Sequence, residues 1–265
     1  MTVTGKLDGR VVLITGAARG QGEQAARLFA AEGAKVVLTD VLDDRGRAVA
    51  EELGKERAAY VRLDVRREEE WAAAVAFARE SYGPVDGLIN NAGVNRFNTL
   101  VDTPLEEYEY ITSVNQTGTF LGIRTVAPEI VAAGGGTIVN VASALALTGM
   151  PTVGVYAATK HAILGLTRVA AMELAAQGIR VNAICPGGID TDMAHAAAIQ
   201  QGLEPEAARA AMAETYRRLV PLGRIGRPEE VARLALFLSC EDSSYITGHP
   251  FAVDGGWLAG LPMGG

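Results

Sequence analysis

The feature of this sequence that most constrains its fold is a regular alternation of short apolar runs with longer stretches of helical periodicity. Most of the short runs are almost continuously apolar, as expected of strands that are covered on both faces of a sheet. Strands that alternate with helices build βαβ units, and these units form a parallel sheet. The sequence therefore predicts an α/β fold, a doubly wound parallel sheet of about seven strands with helices on both faces. The predicted strands are Arg10–Thr15, Lys35–Asp40, Ala59–Asp64, Gly87–Asn90, Gly136–Val141, Arg180–Ile184 and Pro250–Val253.

Apolar residues at three- and four-residue spacing predict the helices between these strands. The first helix runs from about Gln21 to Glu32 and is predicted to end at Gly33, a capping glycine. The other predicted helices are Glu68–Tyr82, Pro104–Ala133, Thr152–Ala176 and Pro228–Leu238. The Ala-rich segment Asp190–Gly226 is predicted to be a helical flap, residues 190–226, over the active site. Because no linker or repeat interrupts the chain, residues 1–265 are expected to form a single domain.

Composition and charge exclude several classes of protein. With 49% hydrophobic and 21% charged residues, the chain can bury a sizeable core, which excludes a disordered or fibrous protein. The net charge is -7 and no long basic run is present, so nucleic acid is not an expected partner. No apolar run approaches the ~20 residues of a membrane span and the N-terminus lacks a signal-peptide core, so we expect a soluble, cytoplasmic protein without a membrane partner. Because Cys185 and Cys240 are isolated and the histidines form no ligand pattern, neither a disulfide framework nor a metal site is expected.

A glycine-rich turn follows the first predicted strand and opens the first helix. Its spacing is G-x-x-x-G-x-G, in which Gly16, Gly20 and Gly22 allow main-chain N–H groups to approach a pyrophosphate at the positive end of a helix dipole. This spacing differs from the common fingerprint G-x-G-x-x-G, and a tight strand-to-helix turn without a ligand is the alternative interpretation. Dinucleotide binding at this turn would make the sheet a Rossmann-type sheet.

Asp40 ends the second predicted strand, eighteen positions after Gly22, where a carboxylate can accept hydrogen bonds from an adenosine ribose diol. The alternative for Asp40 is a helix N-cap. Its negative charge would repel a 2′-phosphate, which predicts NAD as the cofactor in preference to NADP. Arg19 could pair with a 2′-phosphate, but it could equally contact the pyrophosphate or lie in solvent, so Asp40 carries more weight.

Tyr156 and Lys160 are four residues apart on a predicted helix, so a phenol and an ammonium lie on the same face. Such a pair is common by chance. Ser143, however, follows a predicted strand, at the edge of the sheet where ligands bind in α/β folds. Asn91 follows the fourth strand, Asn115 lies on the next predicted helix, and both are expected to face the same edge. We therefore predict that these side chains converge on one site.

Seven motifs in this order resemble those of the short-chain dehydrogenase/reductase family, over essentially the whole chain. They are Thr15–Gly22, Asp64-Val65, Asn90–Gly93, Asn115, Ser143, Tyr156 with Lys160, and Pro186-Gly187. Several stretches look most like the family's NAD-dependent hydroxysteroid dehydrogenases, and this resemblance implies a homotetramer. Gln21 is a departure, because relatives usually carry an aliphatic residue at this position.

The resemblance implies a role for each matching residue. Asp64 would meet the adenine amino group, Asn91–Gly93 would line the adenosine side, and Pro186–Thr191 would flank the nicotinamide. Tyr156 would transfer the alcohol proton while Ser143 hydrogen-bonds the substrate oxygen. Lys160 would favour the tyrosinate and hold the nicotinamide ribose, and Asn115 would anchor a water of a proton path. The predicted catalytic residues are Asn115, Ser143, Tyr156 and Lys160, the predicted substrate contacts are Ser143, Leu145 and Tyr156, and no metal ligand is predicted. The predicted cofactor-binding residues are Gly16, Arg19, Gly20, Gln21, Gly22, Asp40, Val41, Asp64, Val65, Asn91, Ala92, Gly93, Tyr156, Lys160, Pro186, Gly187, Ile189 and Thr191.

The leading hypothesis is an NAD-dependent oxidoreductase that interconverts a secondary alcohol and a ketone. The stretches expected near the pocket, Ala144–Leu147, Met150–Val155 and Met193–Ile199, contain no arginine or lysine, which favours an uncharged cyclic or steroid-like substrate. Trp257 is expected either at a subunit interface or near the cleft. Two alternatives remain open. One is an NADPH-linked reductase of the 3-oxoacyl carrier-protein type, against which Asp40 argues, and the other is a dinucleotide-binding regulator without turnover.

Overall fold

A computed structural model describes residues 5–200 and 202–260 of the chain. The strands in this part are β1 (Val11–Thr15), β2 (Lys35–Asp40), β3 (Ala58–Arg62), β4 (Gly87–Asn90), β5 (Gly136–Val141), β6 (Ile179–Pro186) and β7 (Pro250–Val253). They form one parallel sheet in the order β3-β2-β1-β4-β5-β6-β7. The order reverses at β1, which has β2 on one side and β4 on the other. Ligands of such sheets bind at the carboxyl ends of the strands at this point.

Helices cover both faces of the sheet, and the predicted doubly wound α/β fold is confirmed. The helices are α1 (Gly20–Ala31), α2 (Asp43–Leu53), α3 (Glu68–Tyr82), α4 (Leu105–Thr112), α5 (Gly118–Ala132), α6 (Gly154–Leu174), α7 (Asp192–Gln200), α8 (Pro205–Leu219) and α9 (Pro228–Ser239). Alternate residues of β1 belong to the two cores. Val12 and Ile14 pack in the core with α1 and α9, and Val11 and Leu13 pack in the core with α3 and α5. This division explains why the sequence of β1 is continuously apolar.

Three predicted strands have bounds that are wrong by one or two residues. β1 begins at Val11 instead of Arg10. β3 spans Ala58–Arg62 instead of Ala59–Asp64. β6 spans Ile179–Pro186 instead of Arg180–Ile184, because its pairing with β5 begins at Ile179 and its pairing with β7 extends to Pro186.

The helix α2 was not expected from the sequence. Only three of its residues, Gly46, Val49 and Ala50, are buried, so its apolar stripe is short. Gly46 lowers helix propensity, yet it is needed, because an added Cβ would lie 2.1 Å from the ring of Tyr60. Contact with a neighbouring strand therefore outweighs local propensity in this segment.

The helix predicted over Pro104–Ala133 is divided into two. A π-helical turn at Ser113–Thr117 joins α4 to α5. The turn contains Asn115, whose side chain is completely buried. Single π-helical turns occur frequently at functional sites, where they direct one side chain out of the regular helical register.

The segment predicted as a flap contains two helices, α7 and α8, which pack on each other. Main-chain hydrogen bonds tie the two ends of the segment together: Asp190 N donates to Gly226 O at 2.9 Å, and Gly226 N donates to Gly188 O at 2.9 Å. The segment is therefore anchored at the carboxyl end of β6. Among the helices of the described residues, none is both long and apolar enough to cross a bilayer.

Candidate active site

The glycine turn between β1 and α1 forms an uncapped helix N-terminus. Gly16 and Gly20 have φ angles of +63° and +59°, in the region that favours glycine. A Cβ at Gly22 would lie 2.2 Å from the carbonyl oxygen of Gly16, so a larger residue cannot occupy this position. Arg19, at the N-cap of α1, makes no side-chain hydrogen bond to the helix. The N–H groups of the first turn and the helix dipole therefore fit a pyrophosphate group.

Gln21 adds an unsatisfied acceptor to this turn. Its side-chain oxygen Oε1 is buried and has no hydrogen-bond partner among the described residues. A buried polar atom without a partner is costly, and a bound ligand that donates a hydrogen bond would remove that cost.

Asn91 and Thr15 hold the glycine turn in place. The carboxamide Nδ2 of Asn91 donates to the carbonyl oxygens of Thr15 and Gly16 at 2.9 and 3.0 Å. The Thr15 hydroxyl accepts hydrogen bonds from the main-chain N–H groups of Asn91 and Ala92, both at 3.0 Å. The amide donors of Asn91, which the resemblance assigned to the adenosine side, are thus used to shape the turn.

The carboxylate of Asp40 lies opposite the glycine turn. It accepts hydrogen bonds from Ala18 N at 3.0 Å, from Val41 N at 2.7 Å and from Leu42 N at 3.0 Å. Leu42, and not Asp40, is the N-cap residue of α2. Because a carboxylate has about four lone-pair sites, these three bonds leave it able to accept one more. Val41 is half exposed beside it.

Asp64 is paired within its own loop. Both carboxylate oxygens receive hydrogen bonds from the Arg66 guanidinium, at 2.6 to 3.0 Å. This pairing holds the pKa of Asp64 below its usual value. An adenine amino group would therefore compete with Arg66 for the carboxylate. Val65 packs against Gly118 of α5, and its carbonyl accepts a 2.9 Å hydrogen bond from the indole of Trp71.

Ser143, Tyr156 and Lys160 lie together at the carboxyl end of β5. Ser143 directly follows that strand, and its hydroxyl accepts a hydrogen bond from Leu145 N at 3.1 Å. The Ser143 side chain is near enough to the Tyr156 phenol to lower its pKa. Lys160 is one turn further along α6, with Nζ 5.5 Å from the centroid of the Tyr156 ring and 2.8 Å from the carbonyl oxygen of Val141. The structure thus brings together the three side chains that the sequence predicted to converge.

Burial shifts the pKa values of Tyr156 and Lys160. It raises the pKa of Tyr156 to about 12, and the adjacent Ser143 side chain acts in the opposite direction. It lowers the pKa of Lys160 to about 8. The expected lowering of the Tyr156 pKa is therefore absent in the protein alone, because loss of water around the phenolate outweighs the interactions that favour it.

Asn115 links the π-helical turn to this group. Its Oδ1 accepts from Val94 N at 2.8 Å, and its Nδ2 donates to Val94 O at 2.9 Å and to the Thr159 hydroxyl at 3.1 Å. A Cβ at Gly93 would be 3.4 Å from Asn115 Oδ1 and 3.5 Å from Lys160 Nζ, so the three residues are adjacent. Both donors of the Asn115 carboxamide position its neighbours, while Oδ1, which accepts one hydrogen bond here, can accept a second.

The segment from Pro186 to Thr191 crosses from β6 to the flap. Gly187 packs against Asp254, whose Cα would be 2.9 Å from an added Cβ. Ile189 is buried in the core. Thr191 lies above the glycine turn, since its Cγ2 would be 3.4 Å from a Cβ at Gly20. The predicted nicotinamide and pyrophosphate segments therefore face each other.

Arg19 does not point freely into the cleft. Its Nη1 lies 2.8 Å from the carboxylate of Asp192 in the flap, and Nη1 of Arg45 is 3.8 Å from the same carboxylate. All three side chains are more than half exposed. Arg19 therefore connects the glycine turn with the flap.

Further aromatic side chains pack near Ser143 and Tyr156. Phe97, Tyr156 and Trp257 pack against a buried cluster that includes Leu145. Tyr216 of α8 packs edge-to-face on Trp257, with ring centroids 6.3 Å apart. Phe97 and Tyr216 lie in segments without clear periodicity, so no local signal identified them. Trp257 lies near the cleft, which is one of the two locations expected for it.

These features define a class of protein, an oxidoreductase that uses a nicotinamide dinucleotide. A family model described as enoyl-(acyl carrier protein) reductase matches residues 16–258. The chain belongs to the short-chain dehydrogenase/reductase family.

Individual relatives are similar over nearly their whole length. The chain is 43% identical to the 3-alpha-(or 20-beta)-hydroxysteroid dehydrogenase of Mycobacterium tuberculosis, over 98% of this chain and 93% of that protein. It is 38% identical to the trans-4-hydroxycyclohexanecarboxylate dehydrogenase of Sinomonas cyclohexanicum, over 97% and 96% of the two chains. The solved structure of the aldohexose dehydrogenase of Thermoplasma acidophilum superposes with a TM-score of 0.89 at 29% identity, covering 99% of both chains. The prediction of an enzyme of the dehydrogenase type is confirmed.

Proposed function

We propose that this enzyme is an NAD-dependent dehydrogenase that interconverts a cyclic secondary alcohol and the corresponding ketone. The observation that carries the proposal is the group formed by Ser143, Tyr156 and Lys160, next to a glycine turn that fits a pyrophosphate. A protein that only sensed a dinucleotide would need the turn, but it would have no use for a phenol placed beside a serine and a buried lysine. The bound dinucleotide supplies a carbon that accepts or donates a hydride, together with the positive charge of its oxidised ring.

Side chains of the protein transfer the proton of the alcohol. The Ser143 hydroxyl and the Tyr156 hydroxyl both hydrogen-bond the substrate oxygen, which fixes the reacting carbon. During oxidation the phenolate oxygen of Tyr156 takes the alcohol proton, and during reduction the phenol returns it to the forming alkoxide. Lys160 contributes a positive charge near the ring and holds ribose hydroxyls through Nζ. Asn115 positions Thr159 and the loop at Val94 around this group.

The preference for NAD rests on Asp40. Its carboxylate accepts a hydrogen bond from Ala18 N, directly beside the glycine turn, so a 2′-phosphate would meet a negative charge there. Arg19, the side chain that could favour NADP, is paired with Asp192. The proposed cofactor-binding set remains the one predicted from the sequence, with Asn91 as a residue that shapes the turn.

A cyclic and mainly apolar substrate fits the walls of the cleft. Leu145 is buried directly after Ser143, and Phe97 and Trp257 pack beside it. The names of two relatives specify a hydroxysteroid and a hydroxycyclohexane carboxylate, both with a hydroxyl group on a ring system. We propose that residues 1–265 form one domain, in which the flap at 190–226 covers this substrate.

We further propose that copies of the chain associate through the outer face of α5 and α6. Between these helices lies a groove of about 700 Å³. Phe120, Val169 and Met172 are large apolar residues exposed on this face. Arg124 and Glu173 line the groove with opposite charges, so that a second copy related by a twofold axis could pair them. A homotetramer would need a second contact in addition to this one.

The proposed function is tested by following the absorbance of the reduced nicotinamide with NAD and NADP and a panel of alcohols and ketones. We expect the highest kcat/KM with NAD and a cyclic secondary alcohol. Tyr156→Phe should lower kcat by about 10²–10⁴-fold or more while calorimetry shows nearly unchanged NAD binding, because only the proton-transfer group is lost. A preference for NADP would refute the cofactor assignment, and a Tyr156→Phe variant with near-normal turnover would refute the catalytic one.

A further inference from the structure

We propose that Tyr216 determines substrate specificity, and that its hydroxyl binds a second oxygen of a cyclic substrate. Tyr216 lies near the carboxyl-terminal end of α8, in the flap. The inference rests on the proposed function, because it concerns the far side of the same cleft. It adds a second attachment point to the one formed by Ser143 and Tyr156.

The ring of Tyr216 is held between two parts of the site. On one side is Gly188, just beyond the end of β6, where an added Cβ would lie 2.1 Å from both Cε1 and Cζ of the ring. On the other side is Trp257, in edge-to-face contact at an interplanar angle of 85°. Cζ is the carbon that bears the hydroxyl, so the phenol end of Tyr216 is the end that reaches the nicotinamide segment.

Trp257 itself is firmly positioned. The carboxylate of Asp254 accepts hydrogen bonds from Gly256 N and Leu258 N, both at 2.9 Å, and so fixes the turn that carries the indole. The indole packs against the cluster on which Tyr156 also packs. Through its edge-to-face contact with Trp257, Tyr216 is joined to that cluster. Tyr216 therefore borders the same cleft as the reacting groups.

The hydroxyl of Tyr216 lacks a partner in the protein. Two other partly buried tyrosines hydrogen-bond to main-chain carbonyls, Tyr60 to Asp40 O at 2.8 Å and Tyr82 to Lys55 O at 2.7 Å. In the described part of the chain, the Tyr216 hydroxyl makes no such bond, although the ring is largely buried. The hydroxyl is not among the fully buried polar atoms, so water reaches it, and an oxygen of a substrate in the cleft could take the place of that water.

This arrangement favours one chemical class of substrate. A purely hydrocarbon ring in the cleft would strip water from the Tyr216 hydroxyl and leave it unpaired. A ring that carries a second hydroxyl or carbonyl oxygen, away from the reacting carbon, would replace that water. Sites that hydrogen-bond a substrate group reject the analogue that lacks it more strongly than apolar pockets reject a small change in size. The inferred substrate is therefore a cyclic alcohol or ketone with a second oxygen.

The test compares matched substrates in wild type and Tyr216→Phe. Each pair differs only by the second oxygen: cyclohexanol with 1,4-cyclohexanediol, and a steroid mono-alcohol with the corresponding steroid diol. Phenylalanine keeps the ring between Gly188 and Trp257, and thermal unfolding verifies that the variant is folded. Tyr245→Phe, which alters a fully exposed tyrosine, is the matched control.

We expect wild type to prefer the dioxygenated member of at least one pair in kcat/KM, and Tyr216→Phe to reduce this preference about tenfold, mainly through KM. The control should keep the wild-type preference. Equal losses for both members of every pair, or an unchanged preference, would overturn the inference.

Binding of the same compounds to the enzyme with NADH, measured by calorimetry, separates the inference from the proposed function. A Tyr216-dependent preference in binding without turnover would support the inference and contradict the proposed function. Absence of binding by all of the compounds would overturn the inference.

Discussion

Replacing Lys160 by methionine should remove a pH dependence of stability that the buried ammonium creates. Lys160 is 3% exposed, and burial lowers its pKa from 10.5 to about 8. Between these two values the unfolded chain binds more protons at this position than the folded protein, so the free energy of unfolding rises with pH. A shift of this size corresponds to about 3 kcal/mol of destabilisation at neutral pH. About 2 kcal/mol of this should be recovered between about pH 7 and about pH 9.5.

Urea unfolding of the dinucleotide-free protein, at one fixed protein concentration and several pH values, measures this effect. The comparison uses wild type, Lys160→Met and the control Lys55→Met, which removes an exposed ammonium. Loss of the hydrogen bond to Val141 O adds a cost to Lys160→Met that does not vary with pH. Tyr156 stays protonated in all three folded proteins over this range, because its pKa is about 12 with the lysine present and rises when that positive charge is removed. The difference between wild type and Lys160→Met should therefore change by about 2 kcal/mol over this range. Parallel pH profiles for the three proteins would refute the reasoning.

Three further results are expected. Asp40→Asn should weaken NAD binding about tenfold and reduce discrimination against NADP in calorimetric titrations. The reason is that the variant loses both a charged hydrogen-bond acceptor and a negative charge that repels a 2′-phosphate. Unchanged affinities for both cofactors would contradict this role of Asp40. Trp71→Ala should lower the free energy of unfolding by about 3–5 kcal/mol in urea, because a completely buried side chain and its hydrogen bond to Val65 O disappear; a loss below 1 kcal/mol would contradict it. Asp192→Asn should change stability by less than about 1 kcal/mol, because its pair with Arg19 is mostly exposed, and a larger shift in thermal unfolding would show that the pair is coupled to folding.

The parts of the fold that follow from local pattern were predictable. The β2, β4, β5 and β7 strands and the α3 helix have the predicted bounds, because their apolar runs and helical stripes end where the elements end. The glycine turn was recognisable because the contacts that require glycine lie within the turn itself. Gly22 must be glycine whatever lies elsewhere in the chain, since the carbonyl of Gly16 occupies the space of a side chain.

Other parts depend on contacts between distant segments. The α2 helix exists because Gly46 lets it approach Tyr60, and the sequence of either segment alone does not reveal that contact. The π-helical turn at Asn115 is fixed by hydrogen bonds to Val94 and Thr159. Tyr216 reaches the cleft only because Gly188 leaves room for its ring. Such residues carry no local signature, so the walls of the substrate pocket were largely missed.

The electrostatics of the site explain why the positive charge of Lys160 alone does not bring the pKa of Tyr156 close to neutral pH. A base that works near neutral pH requires a pKa near 7, whereas burial raises the pKa of Tyr156 to about 12. A difference of about five units corresponds to about 7 kcal/mol. One positive charge at 5.5 Å, the distance from Lys160 Nζ to the centre of the ring, contributes about 3 kcal/mol at an effective dielectric constant of about 20. The lowering by Ser143 is already contained in the pKa of about 12, so it does not reduce this difference further. The remaining ~4 kcal/mol would require a second positive charge, which the oxidised ring of a bound dinucleotide would supply. Tyr156 is therefore a neutral phenol in the protein alone, and we propose that it becomes an effective base only when the dinucleotide is bound.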